Sequence, residues 1–472
     1  MNIKKSLIYS FSESYLIVII QLASSMVLAR LLTPQEIGQF SIGIAILAIA
    51  HMLRDFGIGS YLIQEKELTK QKIKTAFGLT LLISWTLAAI LYFSRHAIAI
   101  FYNETNIAII MAWMSINFII IPFSSPVFAL LRRDMKFNLI LYINLISSLI
   151  AAGTGIYLAY QGYGYMSLVW SSITRILTTA LLASCFRPSQ SFVLPSLKGY
   201  KDIISFGGKT SLSNIILTLG NNVSELIIGK YLGFASVAIF SKSNTVNNLF
   251  SDNFLAAIKK VYLPFIAQSH RDNVALDKLY LQATSYISSI AVPFYCFIIF
   301  YSEEIILILF GSQWLESASL IQILSLGGIL QSFSSLAPNT LYAIKRPGVV
   351  LTCETFIQSI KISLISMASF FSLDMIAWAF VLSNVISLTI YILVMKKEIK
   401  ISMFDTLIAV IIPNLFLGLL ISLSLFYFNI NFNNDFPLIG QLSVGFCISI
   451  FTWSTSLLSM NFPIKKELDN IL

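Results

Sequence analysis

Residues 29–42 read ARLLTPQEIGQFSI, and residues 229–242 read GKYLGFASVAIFSK. Aligned without gaps, Arg30 stands with Lys230, Leu32 with Leu232, Ile37 with Val237, and Phe40-Ser41 with Phe240-Ser241. Each stretch closes one long apolar run and opens the next, so each marks a turn between two helices of membrane-spanning length. A fainter echo pairs PVFALLRR (126–133) with PNTLYAIK (338–345), each a proline-containing run that ends in basic residues. The two echoes fall at equivalent places, spans one/two with seven/eight and span four with span ten. Six spans separate the copies, an even number, so the halves share one orientation. This is a parallel repeat about an axis along the membrane normal.

Composition agrees. Of 472 residues, 57% are hydrophobic and 11% charged, and mean hydropathy is +0.81, whereas a soluble domain carries about 25% charged residues. The fold class read from this is an all-α integral membrane protein. Strand signatures of about ten alternating residues are absent, and a lipid-exposed backbone must satisfy its own hydrogen bonds. Fourteen apolar runs, from 7–29 to 437–460, are separated by charged or turn-rich loops. The first of them follows a basic start, as in a signal peptide. It carries Glu13 and is followed by many similar segments, so it is read as the first span.

The net charge of +9 is a topology signal, not a nucleic-acid footprint. With a cytoplasmic start, 23 Lys and Arg fall in inner segments and 3 (Arg30, Arg95 and Lys230) in outer ones. This is the positive-inside pattern with both termini cytoplasmic. The polar, two-proline stretch FRPSQSFVLPSLKGYK (186–201) reads as the linker between halves. The expected organisation is a six-helix lobe over 1–187, a second over 188–400, and two extra helices with a cytoplasmic tail over 401–472.

Ten ionisable residues lie within spans: Glu13, Arg54, Asp55, Arg175, Lys209, Glu225, Lys242, Asp252, Glu354 and Lys361. A charge at membrane depth costs about 2.5–3.5 kcal/mol on insertion scales, so each must face protein, a partner or water. Seven of the ten belong to spans one, two, seven and eight, the leading hairpin of each half. Arg54 stands ten residues before Gln64, about 15 Å into the bilayer at the helical rise. The cations Arg54, Lys209, Lys242, Arg175 and Lys361 suit an anionic ligand. The acids Glu13, Asp55, Glu225, Asp252 and Glu354 read as ion-pair partners or proton carriers. Glu354 and Lys361, seven apart, share one face of span eleven. Asn214, Asn221 and Glu225 form a polar stripe on span seven. Gly57 and Gly59 read as close helix packing in preference to a bend.

LLTPQEIGQFSI (31–42) and DFGIGSYLIQEKELT (55–69) resemble the polysaccharide transporters of the multidrug/oligosaccharidyl-lipid/polysaccharide superfamily, and most of all Wzx-type flippases. The resemblance is carried chiefly by the first 140 or so residues. It implies two six-helix lobes in a V around a central cavity, with two further helices near a lateral lipid groove. It implies transfer of an undecaprenyl-pyrophosphate-linked oligosaccharide from the inner to the outer leaflet of the bacterial cytoplasmic membrane by alternating access. Polysaccharide polymerase and chain-length proteins are the partners it implies, besides the bilayer and the lipid-linked substrate. The pyrophosphate-facing role falls by position on Arg54, Lys209 and Lys242. Independently of any family, a pyrophosphate crosses hydrocarbon only where fixed cations replace its water.

No cofactor is expected. There is no GxxxxGK[ST] loop for ATP, and Cys185, Cys296, Cys353 and Cys447 and the three histidines are too scattered for a metal site. Two rival readings stay open. A multidrug or organic-cation antiporter would want an acidic cavity, for which Glu13 and Asp55 are available. A membrane polymerase or ligase would want a large outer domain, and the outer connections 94–106 and 302–316 are short.

Overall fold

The computed structural model describes residues 3–186, 194–432 and 436–459. Within its helices, the side chains at 3–8, 10, 11, 202, 205–217, 221, 458 and 459 lie outside the description. The described residues are helical throughout apart from their connections. The chain divides into two compact units, Met1–Ala238 and Ile239–Leu472.

In the first unit the order is α1 (Ile3–Leu31), α2 (Pro34–Asp55), α3 (Ile58–Gln64), α4 (Lys70–Tyr102), α5 (Thr105–Ile120), a 3₁₀ turn (Ile121–Phe123), α6 (Ser125–Arg133), α7 (Phe137–Tyr160), α8 (Tyr165–Cys185) and α9 (Tyr200–Tyr231). Then α10 (Phe234–Asn247) begins, and it continues into the second unit. A π turn (Phe250–Leu255), α11 (Ala256–Arg271), α12 (Leu276–Phe300), α13 (Ser302–Leu309), α14 (Glu316–Ser332), α15 (Ala337–Ala343), α16 (Pro347–Ala368) and α17 (Leu373–Glu398) follow. The last are α18 (Met403–Thr406), α19 (Ile412–Phe432) and α20 (Leu438–Ser459). Among the described residues, twelve helical segments are long and apolar enough to cross a membrane. Helices also occupy the places of predicted spans seven and eight: α9, then α10 with the π turn and α11. The chain is a multi-pass membrane protein.

The decisive stretch folds for local reasons. Thr33 caps α2: its hydroxyl accepts from the Glu36 amide (3.3 Å), and its own amide donates to Glu36 Oε2 (2.8 Å). Pro34 opens the helix, where its missing N–H costs nothing. At the repeated position, α9 ends at Tyr231 and α10 begins at Phe234, each 200 residues after its counterpart. Leu232 N–H bonds to Ile228 O as Leu32 N–H bonds to Leu28 O, and Val237 to Gly233 as Ile37 to Thr33. The backbone repeats here in the register that the side chains indicate.

The second echo needs a correction. The sequence pairs Pro126 with Pro338, an offset of 212, which the helix starts Ser125 and Ala337 keep, but the helix ends repeat at 210. Lys136 N–H bonds to Leu131 O and Met135 N–H to Arg132 O; Arg346 N–H bonds to Leu341 O and Lys345 N–H to Tyr342 O. Met135 and Lys345 both take the left-handed conformation, at φ 56° and 61°. The helix terminus recurs at one offset and the proline, second residue of each short helix, at the other, because α6 has 9 residues and α15 has 7.

Spans two, four, eight and ten are broken, at α2/α3, α5/α6, α10/α11 and α14/α15. The pieces pair alike in both halves: α3 packs on α6 as α11 packs on α15, α4 on α5 as α12 on α14, and α7 on α8 as α16 on α17. The first break also overturns an expectation. Gly57 is not a packing glycine; at φ 69°, after Phe56 at φ 19°, it ends α2. Nothing lies within 4 Å of where a Cβ on Gly59 would stand, so no helix packs there either. Arg133 secures the far side of the break by donating to the carbonyls of Leu62 (2.9 Å) and Ile63 (3.1 Å) at the end of α3. Beyond it, Lys72 pairs with Glu65 at 3.1 Å, and that hydrogen bond holds the exposed Glu65 carboxyl below the usual carboxylate range. This contribution is present above the ordinary carboxylate pKa and is lost as pH falls through the depressed one.

α19 and α20 pack against α12 through Leu417, Ile421, Leu425, Val292, Cys296 and Leu457, and the buried Tyr301 donates to Asn429 (3.0 Å). In the first unit, Gly38 of α2 meets backbone directly: a Cβ there would stand 1.8 Å from Phe234 O. Gly38→Ala is therefore expected to cost about 1–3 kcal/mol or more through forced overpacking. Gly59→Ala should be tolerated. Membrane-fraction abundance and monodispersity of the solubilised protein distinguish the two.

Candidate functional site

Within the first unit, the break between α2 and α3 opens onto a cavity of about 560 Å³. Arg54, Asp55, Gly57 and Ser60 line it from the break, Ser124, Ser125 and Arg132 from α6 and its approach, Asn144 from α7, and Arg175 and Thr179 from α8. Three arginines and one aspartate share this space, so the lining is net cationic even though the ten span charges sum to zero.

The break explains how Arg54 and Asp55 can pair. Neighbours on a continuous helix diverge and do not face each other. Here α2 ends at Asp55, and the turn through Phe56 and Gly57 lets the carboxylate swing back. Arg54 Nε donates to Asp55 Oδ1 at 3.1 Å, and Nη2 donates to the same oxygen. The partners differ in surroundings: the Arg54 side chain is 8% exposed and that of Asp55 is 58% exposed. Arg54 Nη1 is buried with no hydrogen-bond partner. An unsatisfied buried donor costs about 1–3 kcal/mol, more for a charged group. A planar guanidinium with a donor left over matches a phosphate oxygen.

The remaining candidates fall into three groups. Glu13 of α1 accepts a hydrogen bond from Asn144 Nδ2 (2.5 Å), so it touches the cavity lining through Asn144. In the second unit, Lys242 is buried with its Nζ 4.8 Å from the Phe310 ring centroid and 5.6 Å from that of Trp314. Lys361 stands 4.6 Å from the Phe380 ring, a cation–π distance. Glu354, on the same helix, turns to other partners: Tyr391 OH donates to one oxygen and Gln358 Nε2 to the other. Asp252 lies in the π turn, 3.5 Å from Ser251 Oγ. Glu225 is half-buried on α9. Lys209, Asn214 and Asn221 also belong to α9, and their side chains lie outside the described residues.

Sequence reasoning counted Arg132 among the inner-loop cations and passed over Asn144. The doublet Arg132-Arg133 carried a usable signal. One arginine of such a pair at a helix end caps carbonyls, as Arg133 does, and its neighbour then points about 100° away.

A family model described as polysaccharide biosynthesis protein matches residues 27–319. The chain belongs to that family. Both stretches that carry the sequence resemblance, 31–42 and 55–69, fall inside the match. Among its relatives are the teichuronic acid biosynthesis protein TuaB of Bacillus subtilis, 23% identical over 79% of this chain and 78% of that one. The lipopolysaccharide biosynthesis protein WzxC of Escherichia coli is 23% identical over 74% and 71%. The fold is similar to that of a solved structure of the lipid II flippase MurJ, itself in an inward closed conformation, with a TM-score of 0.77 at 14% identity over 96% of this chain and 98% of that one.

Asp55 competes with any anion for Arg54. Asp55→Asn is therefore expected to tighten binding of inorganic pyrophosphate by roughly tenfold, the equivalent of about 1.4 kcal/mol. Because Asp55 is largely exposed, the loss of stability should stay within about 1 kcal/mol. Titration calorimetry and thermal unfolding of the purified chain read both.

Proposed function

We propose that the chain is a flippase for a lipid-linked oligosaccharide, moving the repeat unit of a surface glycan from the inner to the outer leaflet. The observation that carries this reading is the arginine-lined cavity at the α2/α3 break, with its unpartnered guanidinium nitrogen on Arg54, in a chain of the polysaccharide biosynthesis family. Arg54, Arg132 and Arg175 receive the pyrophosphate of an undecaprenyl-pyrophosphate carrier, and Asn144 and the lining hydroxyls meet the first sugar. Asp55 holds Arg54 while the cavity is empty and releases it as the anion arrives. Lys242, Lys361 and Lys209 take a later part in the same passage. Glu13, Glu225, Asp252 and Glu354 serve as partners or in ion coupling.

No bond is made or broken, so the activity is transport, not catalysis. The chain works in the bacterial cytoplasmic membrane with both termini inside, as the 23-to-3 distribution of basic residues indicates. Its halves, 1–187 and 188–400, alternate access, with 401–472 appended. A further relative, the probable low-salt glycan biosynthesis flippase Agl15 of Haloferax volcanii, supports the reading. An organic-cation antiporter would want the opposite sign of charge in the cavity.

Deleting the gene should stop surface glycan while lipid-linked units accumulate on the inner leaflet, read by extraction and mass spectrometry; normal surface glycan in a clean deletion overturns the reading. Arg54→Ala should reproduce the deletion at unchanged protein abundance, because it removes the buried guanidinium. Arg54→Lys should restore only part of the export, since an ammonium cannot bind the phosphate bidentately.

A further inference from the structure

Three connections assigned to the inner face, far apart in sequence, converge on one cleft in the second unit. It has a volume of about 670 Å³ and lies where the loop between α11 and α12 meets the ends of α15 and α17. Its charged and titratable lining is His270, Asp277, Lys345, Arg346, Glu398 and Lys400. Glu398 is mostly buried and is matched by Arg346, Nε to Oε2 3.1 Å. Asp277 lies in the first turn of α12, where the helix dipole favours it. Lys345 and Lys400, both exposed, complete the charged lining.

Those two lysines are held in an unusual way. Each stands one residue past a helix cap in the left-handed conformation, at φ 61° and 60°. That site favours glycine or asparagine, because a Cβ there crowds the backbone. Two other turns of this chain use asparagine at such a position, Asn103 and Asn273, both at positive φ. At the cleft both residues are lysines, presented from two separate helix ends. Leu276, Ile344 and Ile399 supply an apolar part of the same lining. Two exposed cations and an apolar wall in one cleft, at the ends of membrane helices, fit a phosphate and the glycerol-ester region next to it.

We propose that this cleft binds the headgroup phosphate of an anionic phospholipid of the inner leaflet. Lys345 and Lys400 contact the phosphate, and Leu276, Ile344 and Ile399 contact the lipid next to it. The site is separate from the arginine cavity. It rests on the orientation given above and not on the identity of the transported molecule.

The test uses the full-length chain in neutral detergent, titrated with dioleoyl-phosphatidylglycerol, dioleoyl-phosphatidylcholine or sodium phosphate while thermal unfolding is followed. Phosphatidylglycerol should raise the unfolding temperature saturably, and the other two should not. In Lys345→Gly/Lys400→Gly the affinity should fall roughly 30-fold, about fivefold per lysine. Glycine suits the left-handed sites, so lipid-free stability should be kept. Lys345→Gln/Lys400→Gln, which removes the charges but keeps flexible polar side chains, should lose the same affinity and serves if the glycine form does not fold. Undiminished affinity in a folded variant, or an equal response to phosphatidylcholine, overturns the proposal. A matching response to sodium phosphate assigns the cleft to a soluble phosphate and overturns the lipid assignment. Arg54→Ala should bind phosphatidylglycerol normally, so failure of the flippase reading leaves this result unchanged.

Discussion

A guanidinium carried to the middle of a membrane helix must find acceptors for all its donors or be left short of one, and this constraint organises the first unit. Arg54 obtains an acceptor from its own neighbour because α2 stops at Asp55. The same interruption opens the space that Arg132 and Arg175 line, and at the far end of α3 Arg133 closes the carbonyls that the helix terminus leaves open. Helix break, capping arginine and cationic cavity are thus one solution to the cost of unpaired polar groups in lipid.

Much of this was legible from residue type. The turn at Thr33–Glu36 recurs 200 residues later in register, because a helix start depends on a few local contacts. The class of protein follows from the price of burying charge; the same reasoning left Asp55 as either the partner of Arg54 or a proton carrier, and the ion pair forms because α2 stops there. The register of the second repeat was legible only at the prolines, which stand second in both short helices; the terminus at Met135 and Lys345 follows another offset because the two helices differ in length. Nor was the break at Gly57: a glycine among apolar residues reads equally as a close contact or a bend, and only the neighbours decide. Gly38, by contrast, meets Phe234 backbone directly. Arg132 escaped notice because a basic residue after an apolar run looks the same whether it reaches water outside the membrane or inside a cavity.

The second unit meets the burial of charge differently. Lys242 and Lys361 lie against Phe310, Trp314 and Phe380, whose ring faces attract a cation. Glu354 is bound by a phenol and an amide. The repeat has therefore conserved backbone breaks and helix pairings while the chemistry of the buried charges has diverged between the two copies.

The pairing of α3 with α6 has a geometric corollary. These half-helices are packed on each other and bonded through Arg133; α3 joins α2 through the turn at Phe56 and Gly57, and α6 joins α5 through the 3₁₀ turn. Arg132 rides on this block, whereas Arg54 and Arg175 belong to α2 and α8. Any displacement of the block thus alters the spacing of the three arginines. The aperture of the cavity and the density of its charge are two readings of a single coordinate.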